Sequence, residues 1–118
     1  YCMGGWDGTN YLSTVEVYDV SLGTWSTAQS MPQPRCFAAA AVMDGLIYIA
    51  GGYFGSYNLD TAEVYDPATD TWKPLPRMSC ARRGLALGAV AGSIYAVGGW
   101  DGKHNLASVE AYTPPGSW

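Results

Sequence analysis

A spacing of 47 residues between three pairs of adjacent glycines is the feature of this 118-residue sequence that most limits its fold. The pairs are Gly4-Gly5, Gly51-Gly52 and Gly98-Gly99. A shift by the same spacing matches residues 1–47 to residues 48–94 at 17 positions without a gap. Self-similarity at this period is the signature of a repeat architecture, in which each unit is one supersecondary element.

Each unit contains four segments with strand-like patterns and none with a helical period. In the complete unit, the segment from Cys36 to Met43 is small and apolar, which is typical of an innermost strand. Asp44-Gly45 predicts a hairpin turn before the β-branched and aromatic segment 46–50. Thr61 to Asp66 alternates in character, and Thr71 to Lys73 begins a fourth strand after a turn. Four antiparallel strands in about 45 residues, repeated, predict the blades of a β-propeller.

The segment from Gly98 to Tyr112 reads Gly-Gly-Trp-Asp-Gly, then Leu, then Ser-Val-Glu-Ala-Tyr. It resembles the repeats of the BTB-kelch (kelch-like) adaptor family, and the resemblance extends over the whole chain. It implies an all-β fold of four-stranded antiparallel kelch blades that form part of a ring. Because the sequence opens in the middle of an apolar segment and stops on Ser117-Trp118 without a polar tail, we expect a fragment of about two and a half blades. These are a partial blade at 1–35, a complete blade at 36–82 and a nearly complete blade at 83–118.

Residues that recur in every unit are expected to be structural. A blade core needs the same residues in each blade, whereas a binding site needs a few residues in one place. The recurring set is Gly4, Gly5, Gly51, Gly52, Gly98, Gly99, Tyr18, Tyr65, Tyr112, Trp25, Trp72, Trp118, Arg35 and Arg82. For the two arginines, contact with a partner protein is an alternative to a charged pair within or between blades. We favour the charged pair, because glutamates recur in step with the arginines at Glu16, Glu63 and Glu110.

Strand order predicts two different faces for the blades. The loop after each double glycine shares one face with the link to the next blade, and the tight turns lie on the opposite face. Loops on a rigid scaffold commonly carry binding residues. The long-loop face is expected to hold five of the six basic residues, Arg35, Arg77, Arg82, Arg83 and Lys103. Since the opposite face is acidic, this distribution predicts an acidic or phosphorylated peptide as the ligand.

In the kelch-like family, substrate pockets use the position after the double glycine and the positions after the repeated arginine. The resemblance therefore implies partner contacts at Trp6, Tyr53, Trp100, Cys36, Phe37, Arg83 and Gly84. Arg83 and Trp100 are favoured among them, since Arg83 departs from the repeat, where the preceding unit has Cys36. For each aromatic residue, the alternative is a ring that only covers its own loop.

Three functions are compatible with these features. The resemblance implies the substrate-recognition module of a cullin-type ubiquitin ligase, and an actin-binding or scaffolding kelch protein is the alternative. A kelch-fold enzyme of the copper-containing galactose oxidase type is the third. A copper site needs several His and Tyr ligands, whereas the chain has a single histidine, His104. We predict no catalytic residues, metal or cofactor among these residues.

The net charge of −4 argues against nucleic acid or an anionic membrane as a partner. No apolar segment approaches the roughly 20 residues that a membrane span needs, and no signal peptide is evident. The three cysteines form no C-x-x-C pair, and no Asn-x-Ser/Thr sequon occurs. These observations predict an intracellular, cytoplasmic location. The resemblance to the kelch-like family implies a protein-binding module that oligomerises only through domains outside these residues.

Overall fold

The computed structural model describes all 118 residues, and all of its regular secondary structure is β-strand. In chain order the strands are β1 (Cys2–Trp6), β2 (Tyr11–Asp19), β3 (Thr24–Ala28), β4 (Ala39–Met43), β5 (Leu46–Ala50), β6 (Tyr53–Phe54), β7 (Tyr57–Asn58), β8 (Ala62–Asp66), β9 (Thr71–Pro74), β10 (Ala86–Val90), β11 (Ser93–Val97) and β12 (Val109–Tyr112). The structure contains no helix that could span a membrane.

The strands form three antiparallel sheets that follow the three repeats. The sheets have the strand orders β1-β2-β3, β4-β5-β8-β9 and β10-β11-β12, and β6 and β7 form a separate small hairpin. We call the three sheets blade 1, blade 2 and blade 3. The strands β4 and β10 lie side by side, so the small-residue strands are the innermost ones. The all-β, four-stranded blade predicted from the repeat is confirmed.

Two hairpins close the innermost strands of blades 2 and 3. Asp44 and Gly45, between β4 and β5, have φ values of +53° and +74°. Ala91 and Gly92 hold the matching positions between β10 and β11, with φ of +50° and +81°. Positive φ at both central residues is the geometry of a type I′ turn, whose twist matches that of the flanking strands. The hairpin predicted at Asp44-Gly45 is therefore confirmed.

The first strand of blade 2 begins later than the sequence pattern predicts. The apolar segment starts at Cys36, but regular pairing with β5 starts only at Ala39. Phe37 has a φ of +55°, which interrupts the extended backbone. Cys36 instead forms an isolated bridge with Tyr53 at the start of the post-glycine loop. The prediction of a continuous strand over 36–43 was wrong because hydrophobicity alone does not reveal the local reversal.

Each arginine of the repeat joins two blades. The Arg35 carbonyl accepts a hydrogen bond from Gly5 N of blade 1, at 2.6 Å. Its guanidinium donates instead to blade 2, to Gly51 O at 2.7 Å, Thr61 O at 2.9 Å and Glu63 Oε1 at 3.0 Å. Burial lowers the pKa of Arg35, and the Glu63 carboxylate opposes that change. We call this arrangement an arginine clasp.

Arg82 makes the second arginine clasp, between blades 2 and 3. Its carbonyl accepts from Gly52 N at 2.7 Å, while its guanidinium donates to Gly98 O, Ser108 O and Glu110 Oε2 at 2.9 to 3.0 Å. Both clasp arginines are almost completely buried. A buried charge needs a paired charge, and each clasp supplies one, Glu63 for Arg35 and Glu110 for Arg82. The interpretation of the repeated arginines as structural agrees with this geometry.

The hydrophobic core lies between blades. One cluster joins Val15 of blade 1, Met31 of the linker and Ile49 of blade 2. The next cluster repeats the arrangement one blade further on, with Met78 in the place of Met31. Blades therefore stabilise one another, as expected for a repeat array with nearest-neighbour interfaces.

The recurring tyrosines and tryptophans do not all lie in equivalent surroundings. Tyr65 and Tyr112 are buried as expected for a blade core. Tyr18 and Trp25 of blade 1 contact each other, with ring centroids 5.2 Å apart, but are 43% and 57% exposed. The recurring tyrosine is thus part of a buried blade core only in blades 2 and 3.

The indole groups of blades 2 and 3 reach back to the preceding linker. Trp72 Nε1 donates to Gln29 O at 2.8 Å, and Trp118 Nε1 donates to Pro76 O at the same distance. The one-residue deletion that aligns Trp118 with Trp72 in the sequence therefore brings together residues with the same role.

Candidate functional site

The post-glycine loop and the linker from the preceding blade meet on one face, as the strand order predicts. Cys36 and Tyr53 exchange backbone hydrogen bonds of 3.1 and 2.7 Å, and Arg83 and Trp100 exchange bonds of 3.1 and 2.9 Å. A Cβ on Gly52, at φ of +103°, would lie 2.7 Å from the Cys36 carbonyl oxygen. The second glycine of the pair therefore permits the close approach on which this face depends.

Two neighbouring grooves on this face contain all seven residues predicted to contact a partner. The first groove has a volume of about 290 Å³ and is lined by Trp6, Tyr11, Cys36, Phe37, Tyr53 and Arg83. The second, more open groove has a volume of about 600 Å³ and is lined by Phe37, Arg83, Gly84, Gly99, Trp100, Asn105 and Leu106. Phe37 and Arg83 line both, so they form the boundary between the two grooves.

Tyr11 is the centre of the first groove and was missed by the sequence analysis. Its ring lies 4.8 Å from that of Trp6, 5.9 Å from that of Tyr53 and 5.4 Å from that of Phe54, measured between centroids. Its hydroxyl donates to Gly55 O at 3.2 Å. Burial raises the pKa of Tyr11, so the neutral hydroxyl persists as a donor at neutral pH.

A signal for Tyr11 was present in the repeat. The equivalent positions hold Asn58 and Asn105, so Tyr11 departs from the pattern in the same way as Arg83. Phe54 is a second departure, at a position where the other units have aspartates. Asp7 and Asp101 each accept two backbone N–H groups of their own turn, which lowers the pKa of both carboxyl groups. Phe54 makes no such turn and instead contacts Tyr11.

Arg83 presents an unpaired guanidinium at the boundary of the grooves. Its Cζ lies 4.7 Å from the centroid of the Tyr53 ring, a distance at which cation and ring attract each other. The three ion pairs of the structure join Arg35 to Glu63, Arg77 to Asp60 and Arg82 to Glu110, so none involves Arg83. The ring therefore positions the guanidinium while leaving its N–H groups available to an acceptor.

Phe37 combines exposure with an unfavourable backbone conformation. Its side chain is 64% exposed, and its φ of +55° lies in the left-handed region. Gly84 holds the equivalent position of the next repeat, with φ of +65°. The two are joined directly, because Gly84 N donates to Phe37 O at 2.8 Å. An L-residue pays about 1–2 kcal/mol for this conformation, and such strain is concentrated at functional sites.

The predicted accumulation of positive charge on the long-loop face is corrected by the structure. Arg35 and Arg82 are buried in their clasps, and Arg77 contacts Asp60 at 3.3 Å. Only Arg83 and Lys103 of the five basic residues have no carboxylate partner. The attraction for an acidic ligand is therefore local to the grooves and does not extend over the whole face.

The remaining polar groups near the grooves include a buried thiol and an imidazole. The buried Cys36 thiol contacts Tyr53 O at 3.5 Å, and burial raises its pKa although Arg83 opposes the shift. A protonated thiol of this kind is a weak nucleophile. His104 lies in the exposed loop before β12, where its backbone N–H donates to Asp101. No group of three His, Cys, Asp or Glu side chains converges as metal ligands would.

Comparison with known protein families agrees with the blades and their order. The Kelch motif model matches the chain three times, at residues 1–32, 34–79 and 81–118. These matches leave only Gln33 and Cys80 uncovered, which hold equivalent positions in the linkers. Kelch repeats generally mediate protein–protein interaction and are typically not enzymes. The chain belongs to the kelch-repeat family.

Proposed function

We propose that the two grooves bind a short acidic peptide segment of a partner protein. The observation that carries the proposal is the guanidinium of Arg83, held over Tyr53 without an acidic partner. A carboxylate or phosphate fits a planar guanidinium in a bidentate arrangement. An acidic side chain at the boundary of the grooves would thus find the hydrogen-bond donors that the protein leaves free.

The aromatic residues around Arg83 define what should flank the acidic group. Trp6 and Phe37 are more than half exposed, and Tyr11 and Tyr53 form the floor of the first groove. Aromatic and arginine side chains are the types enriched in binding hot spots. An apolar side chain next to the acidic one in the ligand would cover the rings of the first groove.

We further propose that the chain acts as the substrate-recognition propeller of a cytoplasmic, cullin-type ubiquitin ligase adaptor. The support is the resemblance of the segment from Gly98 to Tyr112 to kelch-like adaptor repeats. The post-glycine residues and the residues after the clasp arginines would then select the substrate. An actin-binding or scaffolding kelch protein remains the competing hypothesis.

An array of short peptides tests the binding proposal. We expect the chain to prefer acidic peptides that carry a neighbouring apolar residue. Arg83→Ala should weaken the best peptide by about tenfold to a hundredfold, because charge-assisted hydrogen bonds are lost. Lys73→Ala removes an equal charge from the outer strand β9, away from both grooves, and should leave affinity unchanged. Equal binding of neutral peptides, or equal effects of the two variants, would refute the proposal.

A degradation assay in cells separates the adaptor role from the competing hypothesis. A stable reporter protein carrying the best peptide is co-expressed with the complete polypeptide to which these blades belong. The adaptor role predicts a shortened reporter half-life, restored by Arg83→Ala. A reporter that is bound but stable, together with co-sedimentation of the protein with filamentous actin, would favour the actin-binding alternative.

A further inference from the structure

The two arginine clasps differ at one position of the linker that precedes each of them. Ser79 precedes the second clasp, and its backbone N–H donates to Glu110 Oε1 at 2.7 Å. Pro32 holds the equivalent position 47 residues earlier, and proline has no N–H group. The two linkers are otherwise anchored alike, since Met31 N and Met78 N donate to equivalent carbonyl groups at 2.8 Å each. The first clasp therefore lacks a hydrogen-bond donor that the second clasp has.

Two polar groups of the first clasp have unused hydrogen-bonding capacity as a result. Glu110 accepts four hydrogen bonds, and its Oε2 receives both Nε and Nη2 of Arg82. Glu63 accepts a single hydrogen bond, at Oε1 from Arg35 Nη2. The buried Arg35 Nε has no hydrogen-bond partner. A buried N–H without an acceptor is unfavourable, so a donor that turns the Glu63 carboxylate towards Arg35 Nε would stabilise the clasp.

A cleft of about 310 Å³ opens beside these two groups. Its lining belongs to blade 2 and to the linkers on either side of that blade, and it includes Pro32, Gln33, Arg35, Glu63, Leu75 and Arg77. The Arg35 side chain has no exposed surface, whereas that of Glu63 is 7% exposed. A ligand in the cleft therefore reaches the clasp through the carboxylate. No residue that lines the cleft lines either of the two grooves.

The charges around the cleft favour a neutral ligand. Two guanidinium groups line it, those of Arg35 and Arg77, and Glu63 is the one carboxylate in its lining. An ammonium group would be repelled by both arginines, and an anion would be repelled by Glu63. A primary amide carries no charge and has N–H donors for Glu63. Its carbonyl oxygen can accept from Arg77, of which only Nη1 is bound, to Asp60 at 3.3 Å.

We propose that this cleft is a second binding site, which takes the side-chain amide of an Asn or Gln residue of a partner protein. The amide N–H donates to Glu63 in the way that Ser79 N donates to Glu110. The Glu63 carboxylate then accepts from Arg35 Nε, as Glu110 does from Arg82. The apolar side chains of Pro32 and Leu75 line the cleft and contact the methylene carbons of the ligand.

Three tripeptides with acetylated and amidated ends, Gly-Gln-Gly, Gly-Met-Gly and Gly-Lys-Gly, are the probes. In NMR titrations of the protein, we expect the Gln peptide to give saturable shifts of the Gln33, Thr61 and Glu63 amide signals. The Met side chain has a similar length but no donor, and the Lys side chain has donors but a positive charge. Both peptides should bind at least about tenfold more weakly. Equal binding of the three peptides would overturn the proposal, as would tighter binding of free L-glutamine than of the Gln peptide.

Two variants of the protein complete the test. Pro32→Ala restores the backbone N–H, which then donates to Glu63 from within the chain and should weaken the Gln peptide at least about tenfold. Pro67→Ala is the matched control, since it removes a proline from the exposed turn between β8 and β9, away from the cleft, and should leave binding unchanged. Pro32→Ala should also have the higher urea midpoint of the two variants, because it gains a hydrogen bond. Undiminished binding of the Gln peptide to Pro32→Ala, or shifts confined to the grooves, would refute the site.

Discussion

At the scale of single residues, the positions that break the repeat are the ones that shape the grooves. Tyr11, Arg83 and Phe37 each occupy a place where another repeat has a different residue type. Residues that follow the repeat, such as the clasp arginines, instead make contacts between blades. A repeated scaffold thus leaves its non-repeating side chains free to contact a ligand.

Phe37 allows stability to be separated from binding. Phe37→Gly removes the cost of about 1–2 kcal/mol that a non-glycine residue has in the left-handed conformation. The greater freedom of glycine in the unfolded chain opposes this gain by about 0.5–1 kcal/mol. We expect the free energy of unfolding in urea to stay within about 1 kcal/mol of the parent value. Affinity for the acidic peptide should nevertheless fall, since the ring is 64% exposed at the groove boundary. Unchanged affinity would show that this ring does not contact the ligand.

The carboxylate of Glu110 links stability to pH. Burial acts to raise its pKa, but hydrogen bonds from Ser79 N and the Arg82 guanidinium outweigh burial and hold the pKa below its ordinary value of 4.5. Because the folded pKa is depressed, this stabilisation is complete above about pH 4.5 and is lost as the pH falls through the folded pKa. Glu110→Gln should flatten the stability profile in that acid range, as measured by urea unfolding at a series of pH values. A profile parallel to that of the parent would contradict the assignment.

At the scale of strands and turns, the double glycine is the element that brings loop and linker together. Gly52→Ala places a Cβ 2.7 Å from the Cys36 carbonyl oxygen and forces alanine to φ of +103°. Gly45→Ala is the matched control, since Gly45 also has positive φ but a Cβ there meets nothing within 4 Å. We expect Gly52→Ala to lower the free energy of unfolding by at least about 2 kcal/mol more than Gly45→Ala does. If urea titrations show equal losses of unfolding free energy for the two variants, the positive φ alone, without steric crowding, accounts for the need for glycine at position 52.

The strands and their order were predictable, because hydrophobic patterns and turn residues act locally. Asp44-Gly45 predicted its hairpin for this reason, and the strand over 61–66 was nearly correct at Ala62–Asp66. The late start of β4 was not predictable, since the left-handed conformation of Phe37 depends on its bond to Gly84 in another blade. For the site, the repeat predicted that the post-glycine loops and the linkers meet on one face, but it could not show that Arg35 is buried against Glu63, 28 residues away.

At the scale of the whole molecule, each blade is held by its neighbour through three kinds of contact. These are the arginine clasp, the buried methionine of the linker and the indole hydrogen bond. All three join blade 1 to blade 2, and blade 2 to blade 3. Stability is therefore a sum of interfaces between successive blades, as in other repeat proteins.

The indole bond offers a direct measure of one such interface. Trp72→Phe removes the donor to Gln29 O and should lower the free energy of unfolding by about 1 kcal/mol. Trp25 holds the same repeat position in blade 1, but it is 57% exposed and its Nε1 has no acceptor. Trp25→Phe should therefore change stability by less than about 0.5 kcal/mol. Equal effects of the two variants in urea unfolding would show that the hydrogen bond does not contribute to the interface.

The arginine clasps also set the order in which the blades can assemble during synthesis on the ribosome. Arg35 is synthesised 28 residues before Glu63, and Arg82 is likewise 28 residues ahead of Glu110. At bacterial or eukaryotic elongation rates, roughly 1–6 s pass between the synthesis of each arginine and that of its carboxylate partner. No blade interface can mature before its C-terminal member is complete, so the blades join one after another from the N-terminal side, at the pace of translation.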